Sequence, residues 1–392
     1  STLTQLAALP RTVNGKLDQR ALLEIVETAK QIPAEEAAWN ETEQVVADAF
    51  QSVLGVAEVG RDTTFFELGG DSITAIRAVS LIRKAGYACT AAIIMQAMTV
   101  EAVAQRLERS RGRSQREVRA GAVGALPAVD EFLRWDLPVP HHFNQDIIVN
   151  VDNVPTKHVT GALDAVWAEH DALRAVLRDG QLHVRPIGAA RYGFVERVVA
   201  TDTDIEDVIT ALAAELQPSM NLNHGPLLQA GLVRGPSQAK LLLVAHHLVV
   251  DAVSWHVIGG DLATALECQS GGKPIDLVEG SAGLHTWAEG LAALGAQMPR
   301  TERKYWDERN RMVADTPLRL PVDEFAPALN VTLAIEADRV AGLQHAARRY
   351  NTGVETMLLT ALGRSVHAMT GQKRLAVRRE GHGRAEHPLL PD

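Results

Sequence analysis

The stretch LLLVAHHLVVDAVSW, residues 241–255, decides how the larger part of this chain folds. Leu241 to Ala245 form an unbroken apolar run, which reads as a buried strand. His246 and His247 follow it, and after Asp251 the residues Ala252, Val253, Ser254 and Trp255 open a helix. Two titratable rings therefore emerge at the end of a buried strand, a place where catalytic groups are often carried. The same pattern, His-His-x-x-x-Asp, occurs earlier as His141 to Asp146, where it merely opens a strand.

Outward from this stretch, short β-like runs alternate with helical ones. Strands are expected at Asp146 to Val151, Leu182 to Pro186, Leu241 to His246, Val331 to Ile335 and Leu375 to Val377. Helices are expected at Ala162 to Leu177, Ile205 to Leu216 and Val354 to Met369. From Ala125 onward this is an α/β or α+β body. Before it, residues 108–124 are rich in Arg, Gly and Ser and lack an apolar period, as a solvated linker does. Earlier still, Asn40 to Glu43 form a capping-box-like start, with Val46, Phe50, Val53 and Leu54 on one face and Gly55 as a stop. Helices near Ser72 and from Thr99 complete a small bundle over residues 40–108.

Composition narrows the function classes. At 392 residues, with 46% hydrophobic and 22% charged, the chain has material for more than one ordinary globular core. A formal charge of -9 argues against nucleic acid as the main partner. Cys89 and Cys268 are too few for a disulfide scaffold or a Cys-based zinc site, and a reducing cytoplasmic setting is the default. No apolar run reaches membrane-spanning length and the first residues lack signal-peptide order, so no membrane partner is expected.

Three motifs carry chemistry. Ser72 follows Gly69, Gly70 and Asp71 at the start of a helix, where a hydroxyl lies beside a partial positive charge that suits a phosphate ester. In isolation such a serine reads more often as a helix cap. His246 and His247, with Asp251 near them, suit either a general base whose tautomer is fixed by a neighbour or two structural rings; adjacent strand residues point to opposite faces, which disfavours a shared metal, so none is assigned. Near the C-terminus, Leu375 to Val377 lead into Arg379-Glu380-Gly381-His382-Gly383-Arg384, an acid on a glycine-rich turn. Such an acid exchanges a proton with a bound substrate if desolvation raises its pKa; the plainer reading is a surface turn.

FFELGGDSITAIRAVSLIRKAGY, residues 65–87, resembles the peptidyl carrier (thiolation) domain of nonribosomal peptide synthetases. The resemblance implies a four-helix bundle with 4'-phosphopantetheine borne on Ser72. Asp71 before that serine is similar to carriers that precede an epimerisation domain. LPRTVNGKLD, residues 9–18, resembles the last motif of adenylation domains, with Lys16 as its lysine. HHLVVDAVSW resembles the core motif of condensation and epimerisation domains, a chloramphenicol-acetyltransferase-like pair of lobes around a tunnel, and HHFNQDIIV is similar to the HFNQ stretch of epimerisation domains. By that likeness His247 is catalytic, while His246, Asp251, Ser254 and Trp255 are structural at the active site. EGHGR is similar to a motif that separates epimerisation from ordinary condensation domains, which makes Glu380 the second catalytic residue.

The resemblance implies an adenylation tail (1–22), a linker (23–39), a carrier (40–108), a second linker (109–124) and an epimerisation domain (125–392) holding the first lobe and the opening of the second. The implied reaction inverts Cα, L to D, of an aminoacyl or peptidyl thioester on the Ser72 arm. The alternatives are a condensation domain forming peptide bonds, or an inactive scaffold that receives the arm. Implied partners are the upstream adenylation domain, a phosphopantetheinyl transferase and the condensation domain of the next module.

Overall fold

The computed structural model describes residues 39–377 except 62, 71, 110–118, 278–281, 315–331 and 351, together with 379, 383, 387, 389 and 390. The described residues form two compact units. The first takes in those up to Gly121 and from Trp135 to Gly283; the second takes in Ala122 to Arg134 and those from Leu284 onward.

The first unit opens with a helical bundle. Helix α1 (Glu41–Leu54) starts with a full capping box: the Asn40 side chain accepts from the Glu43 N–H at 2.9 Å, and the Asn40 N–H donates back to the Glu43 carboxylate at 2.9 Å. It stops at Gly55, whose φ of 66° is open to glycine at no steric cost. Helices α2 (Ser72–Lys84), α3 (Ala91–Ala97) and α4 (Val100–Ala104) follow, the last two capped by Thr90 and Thr99. Their inward faces make one core in which Val46, Phe50 and Val53 meet Phe65, Ile82, Ile94 and Val103. Phe50 and Phe65 lie with ring centroids 4.6 Å apart, and burying each such side chain contributes about 1.5–3 kcal/mol. Apolar periodicity predicts three of these helices; α3 lacks the spaced apolar face that marks the others.

After α5 (Pro127–Arg134), which belongs to the second unit, the first unit resumes as an α/β lobe. Strand β1 (Asn144–Asn150) leads to α6 (Thr156–Glu169), then to the hairpin of β2 (Ala175–Arg178) and β3 (Gln181–Val184). Strand β4 (Gly193–Val198), α7 (Ile205–Leu216), β5 (Leu228–Arg234), β6 (Ala239–His246) and α8 (Ala252–Ser270) complete it. The main sheet runs β1-β6-β5-β4, with β4 and β5 parallel and the other pairs antiparallel. Strands β5 and β6 are buried almost throughout, as the apolar run Leu241 to Ala245 requires, and β5 buries Gln229 as well. Helix α7 covers one face, laying Ile209, Leu212 and Leu216 on Val233, Leu242 and Val244. The C-terminal end of α2 lies against α8, where Lys84 Nζ donates to Thr264 Oγ1 at 3.3 Å.

One expected helix is cut short. Instead of continuing to Leu177, α6 ends at Glu169, passes through a 3-10 turn at Asp171–Arg174, and gives way to β2. Arg174, 1% exposed, donates from Nη1 to the carbonyls of Trp167 and Ala168 at 2.6 and 2.7 Å. That guanidinium satisfies the helix's last acceptors, and the apolar residues after it pair with β3 rather than extend the helix.

In the second unit, α9 (Leu284–Gln297), α10 (Arg300–Ala314), α11 (Ala337–Arg349) and α12 (Val354–Thr370) follow one another. Helix α12 matches the expected one to within a residue. The strands expected at Val331 to Ile335 and Leu375 to Val377 are not formed: residues 332–336 and 374–377 have no regular structure, and residue 331 lies outside the described residues. A strand exists only beside a hydrogen-bonded neighbour, and among the described residues of this unit none lies along either run. Among the described residues, no helix is long and apolar enough to cross a membrane.

Candidate functional site

Antiparallel pairing brings the two His-His-x-x-x-Asp motifs together. Asn144 lies opposite His246 and Gln145 opposite Ala245, and the ladder extends past the strand end through a 2.9 Å bond from the His247 N–H to the Phe143 carbonyl. Opposite residues share a face of a sheet, so Phe143, Gln145 and His247 converge on one side. His246 shares the other side with Leu242 and Val244, under α7.

The two rings consequently differ. His246 is fully buried; its Nδ1 accepts from the Leu248 N–H at 3.2 Å and its Nε2–H donates to the Pro140 carbonyl at 2.9 Å. Burial, opposed by that carbonyl and aided by His141 and His247, pushes its pKa down to about 4, so it is neutral at pH 7. His247 is half-buried, with Nδ1 2.9 Å from the Val250 carbonyl and Nε2 3.1 Å from the Gln145 amide nitrogen. Phe143 stacks on the His247 ring and is itself met edge-on by Trp135.

Asp251 caps α8. Its Oδ1 accepts from the Ser254 N–H at 2.6 Å and from the Ser254 hydroxyl at 2.7 Å. One turn into the helix, buried Trp255 donates its indole N–H to Gln145 Oε1 at 3.2 Å. Sequence reading placed His246, His247, Asp251, Ser254 and Trp255 in one neighbourhood, and they are there. It missed Phe143 and Gln145, whose signal was the HFNQ stretch taken with a register in which Phe143 faces His247. It also missed the His170 to Asp261 pair, 2.8 Å apart, which ties the end of α6 to α8.

The second site is the turn before α2. Gly69 has φ +92°, and a Cβ on Gly70 would fall on the ring of fully buried Phe65 and 2.6 Å from the Phe65 carbonyl oxygen. Glycine is thus required at both positions of this turn, which lies just ahead of α2 and its first residue, Ser72. Thr64 and Glu67 brace the turn: the Thr64 N–H and hydroxyl both donate to the Glu67 carboxylate at 3.0 Å. Ser72 stands at the N-terminus of a helix, whose partial positive charge suits a phosphodiester, so its position fits the group. Lys16, Asp71 and Glu380 lie outside the described residues. Among the described residues, no cluster of three or more His, Cys, Asp or Glu side chains is arranged to hold a metal ion.

The profile of the family described as Condensation domain matches residues 134–391, and that described as Phosphopantetheine attachment site matches residues 44–107. The chain belongs to the condensation-domain family. Ahead of that domain it has a carrier domain of the kind that bears covalently attached 4'-phosphopantetheine, the pairing found in nonribosomal peptide synthetases. Chondramide synthase cmdD of Chondromyces crocatus is 33% identical over 405 residues, covering 98% of this chain and 10% of that protein. Tyrocidine synthase 1 of Brevibacillus parabrevis is 28% identical over 403 residues, covering 98% of this chain and 37% of that protein. The chain therefore spans a small part of the relatives it matches. Among solved structures, the epimerization domain from the third module of tyrocidine synthetase B superposes with a TM-score of 0.58 at 26% identity, covering 66% of this chain and 62% of that one.

Proposed function

We propose that this chain epimerises a carrier-bound aminoacyl or peptidyl thioester at Cα, from L to D, during nonribosomal peptide synthesis. The observation that carries this reading is the likeness to the epimerization domain of tyrocidine synthetase B. The Asp71-Ser72 pair and the EGHGR sequence at residues 380–384 support it. When bound, the phosphopantetheine supplies a thioester, whose carbonyl delocalises the charge left by loss of the Cα proton. Ser72 is assigned as its attachment point. His247 and Glu380 are assigned as the two proton-transfer groups: one takes the Cα proton from one face and the other returns a proton to the opposite face. Asp251, Ser254 and His246 hold the loop and strand end that carry His247.

The boundaries proposed are those of the sequence reading: adenylation tail to residue 22, carrier at 40–108 and epimerisation domain from 125. The partners that follow are an adenylation domain that loads the arm, a phosphopantetheinyl transferase that installs it, and a condensation domain that accepts the product. A second reading, peptide-bond formation, is favoured by the family's own description. Chiral analysis of the thioester released from loaded, Cα-deuterated holo-protein tests the first reading: loss of deuterium with a mixed L/D product supports it. Retained deuterium together with a dipeptide formed on an acceptor-loaded carrier would replace it with condensation.

A further inference from the structure

The bonds around His247 form a chain whose polarity is fixed at both ends. An indole N–H only donates, so the atom of Gln145 that receives Trp255 is the carbonyl oxygen, Oε1. The remaining amide group, NH2, faces His247 Nε2 at 3.1 Å and also only donates, so Nε2 is the acceptor. A backbone carbonyl only accepts, so the atom of His247 facing Val250 at 2.9 Å carries the ring proton. Starting from Trp255 or from Val250, the same tautomer results: proton on Nδ1, lone pair on Nε2. His246, one residue away, has the reverse tautomer, set by the Leu248 N–H and the Pro140 carbonyl. Main-chain partners thus give the two neighbouring rings opposite tautomers, and at His247 the Gln145 amide acts in the same sense as the Val250 carbonyl.

We propose that Gln145, held by Trp255, is a positioning residue that presets His247 as a proton acceptor at Nε2. Gln145 comes from β1 and Trp255 from α8, so two elements outside its own loop hold His247 in the tautomer that the Val250 carbonyl also favours. Phe143, stacked on the ring with 19° between planes, restrains it from turning over and exchanging its two nitrogens. Protonation of Nε2 and the Gln145 bond exclude each other, because both groups would then be donors. The amide is displaced each time the ring takes a proton, and it returns when the ring gives the proton up. The proposal rests on the reading of His247 as a proton-transfer group and adds to it which nitrogen acts and what prepares it.

The test uses the holo-protein labelled with 15N-histidine, with the His247 signals assigned by their loss in His247→Ala. Proton–nitrogen correlation across the ring is expected to show a protonated Nδ1 and a bare Nε2 in the parent. In Gln145→Glu the carboxylate accepts from both Trp255 and the ring, so Nε2 is expected to carry a proton instead of a free lone pair and Cα exchange falls by on the order of tenfold or more. Gln145→Leu and Trp255→Phe, checked for folding by circular dichroism, are expected to give a mixture of tautomers and an intermediate loss in kcat with KM little changed. A bare Nε2 with the proton wholly on Nδ1 in all three variants would overturn the proposal. An unchanged exchange rate in His247→Ala would instead remove the assignment of His247, whatever the tautomer.

Discussion

Phe143 lies flat against His247, with ring centroids 4.9 Å apart and 19° between the planes. The contact joins the residue just before β1 to the residue just after β6 and gives the imidazole one packed face. Phe143→Ala is expected to destabilise the lobe by about 2 kcal/mol, less than a fully buried phenylalanine would, and to lower Cα exchange more than Phe143→Tyr does. Urea unfolding and deuterium loss from a loaded thioester measure the two effects separately.

His246 makes the fold acid-sensitive. Its folded pKa of about 4 lies below the ordinary 6.5, so between those values the unfolded chain binds a proton that the folded chain refuses. Stability is therefore full above pH 6.5, falls as pH drops toward 4, and loses roughly 3 kcal/mol over that window. His246→Gln, which takes no proton, is expected to be less stable at pH 7 but to have a flatter acid limb. Urea midpoints measured from pH 4 to 7 give the comparison.

At the turn before α2, Gly70→Ala forces a methyl group onto the Phe65 ring. The expected cost is about 2–3 kcal/mol of carrier stability, through displacement of a ring at the centre of the bundle. Mass spectrometry after treatment with a phosphopantetheinyl transferase should show slower gain of the arm than in the parent, and Ser72→Ala should show none.

Asp251 is the cap of α8, and its neutral isostere distinguishes capping from charge. Asp251→Ala removes the acceptor of two Ser254 hydrogen bonds and is expected to cost about 1–2 kcal/mol and to slow Cα exchange. Asp251→Asn keeps a capping oxygen and should retain most of the stability. Equal thermal destabilisation by the two variants would show that the carboxylate charge, not the cap, matters.

Much of this was legible from local chemistry. The capping box at Asn40 and Glu43, the stop at Gly55 and the apolar run before His246 each determine structure within a few residues, and each is seen in the structure. Gln145 was hidden because its role depends on a register between β1 and β6, which no local pattern specifies. The early end of α6 depends on Arg174 folding back onto the carbonyls of Trp167 and Ala168, a side-chain contact that apolar periodicity does not register. The run at Leu375 to Val377 has strand-like residues but no described neighbour, and propensity without a ladder does not make a strand.

The pairing of β1 with β6 also sets when the site exists. Gln145 and His247 are 102 positions apart, so their contact closes a long loop and forms only once the chain between them has been gathered. Among the described residues strand β1 stands at the end of the sheet order with one neighbour, and such an edge strand is expected to fray at less than the cost of global unfolding. The population of molecules with an assembled site is then expected to follow the opening of this one strand. Amide hydrogen exchange along residues 144–150 would report that population directly, in molecules whose core remains closed.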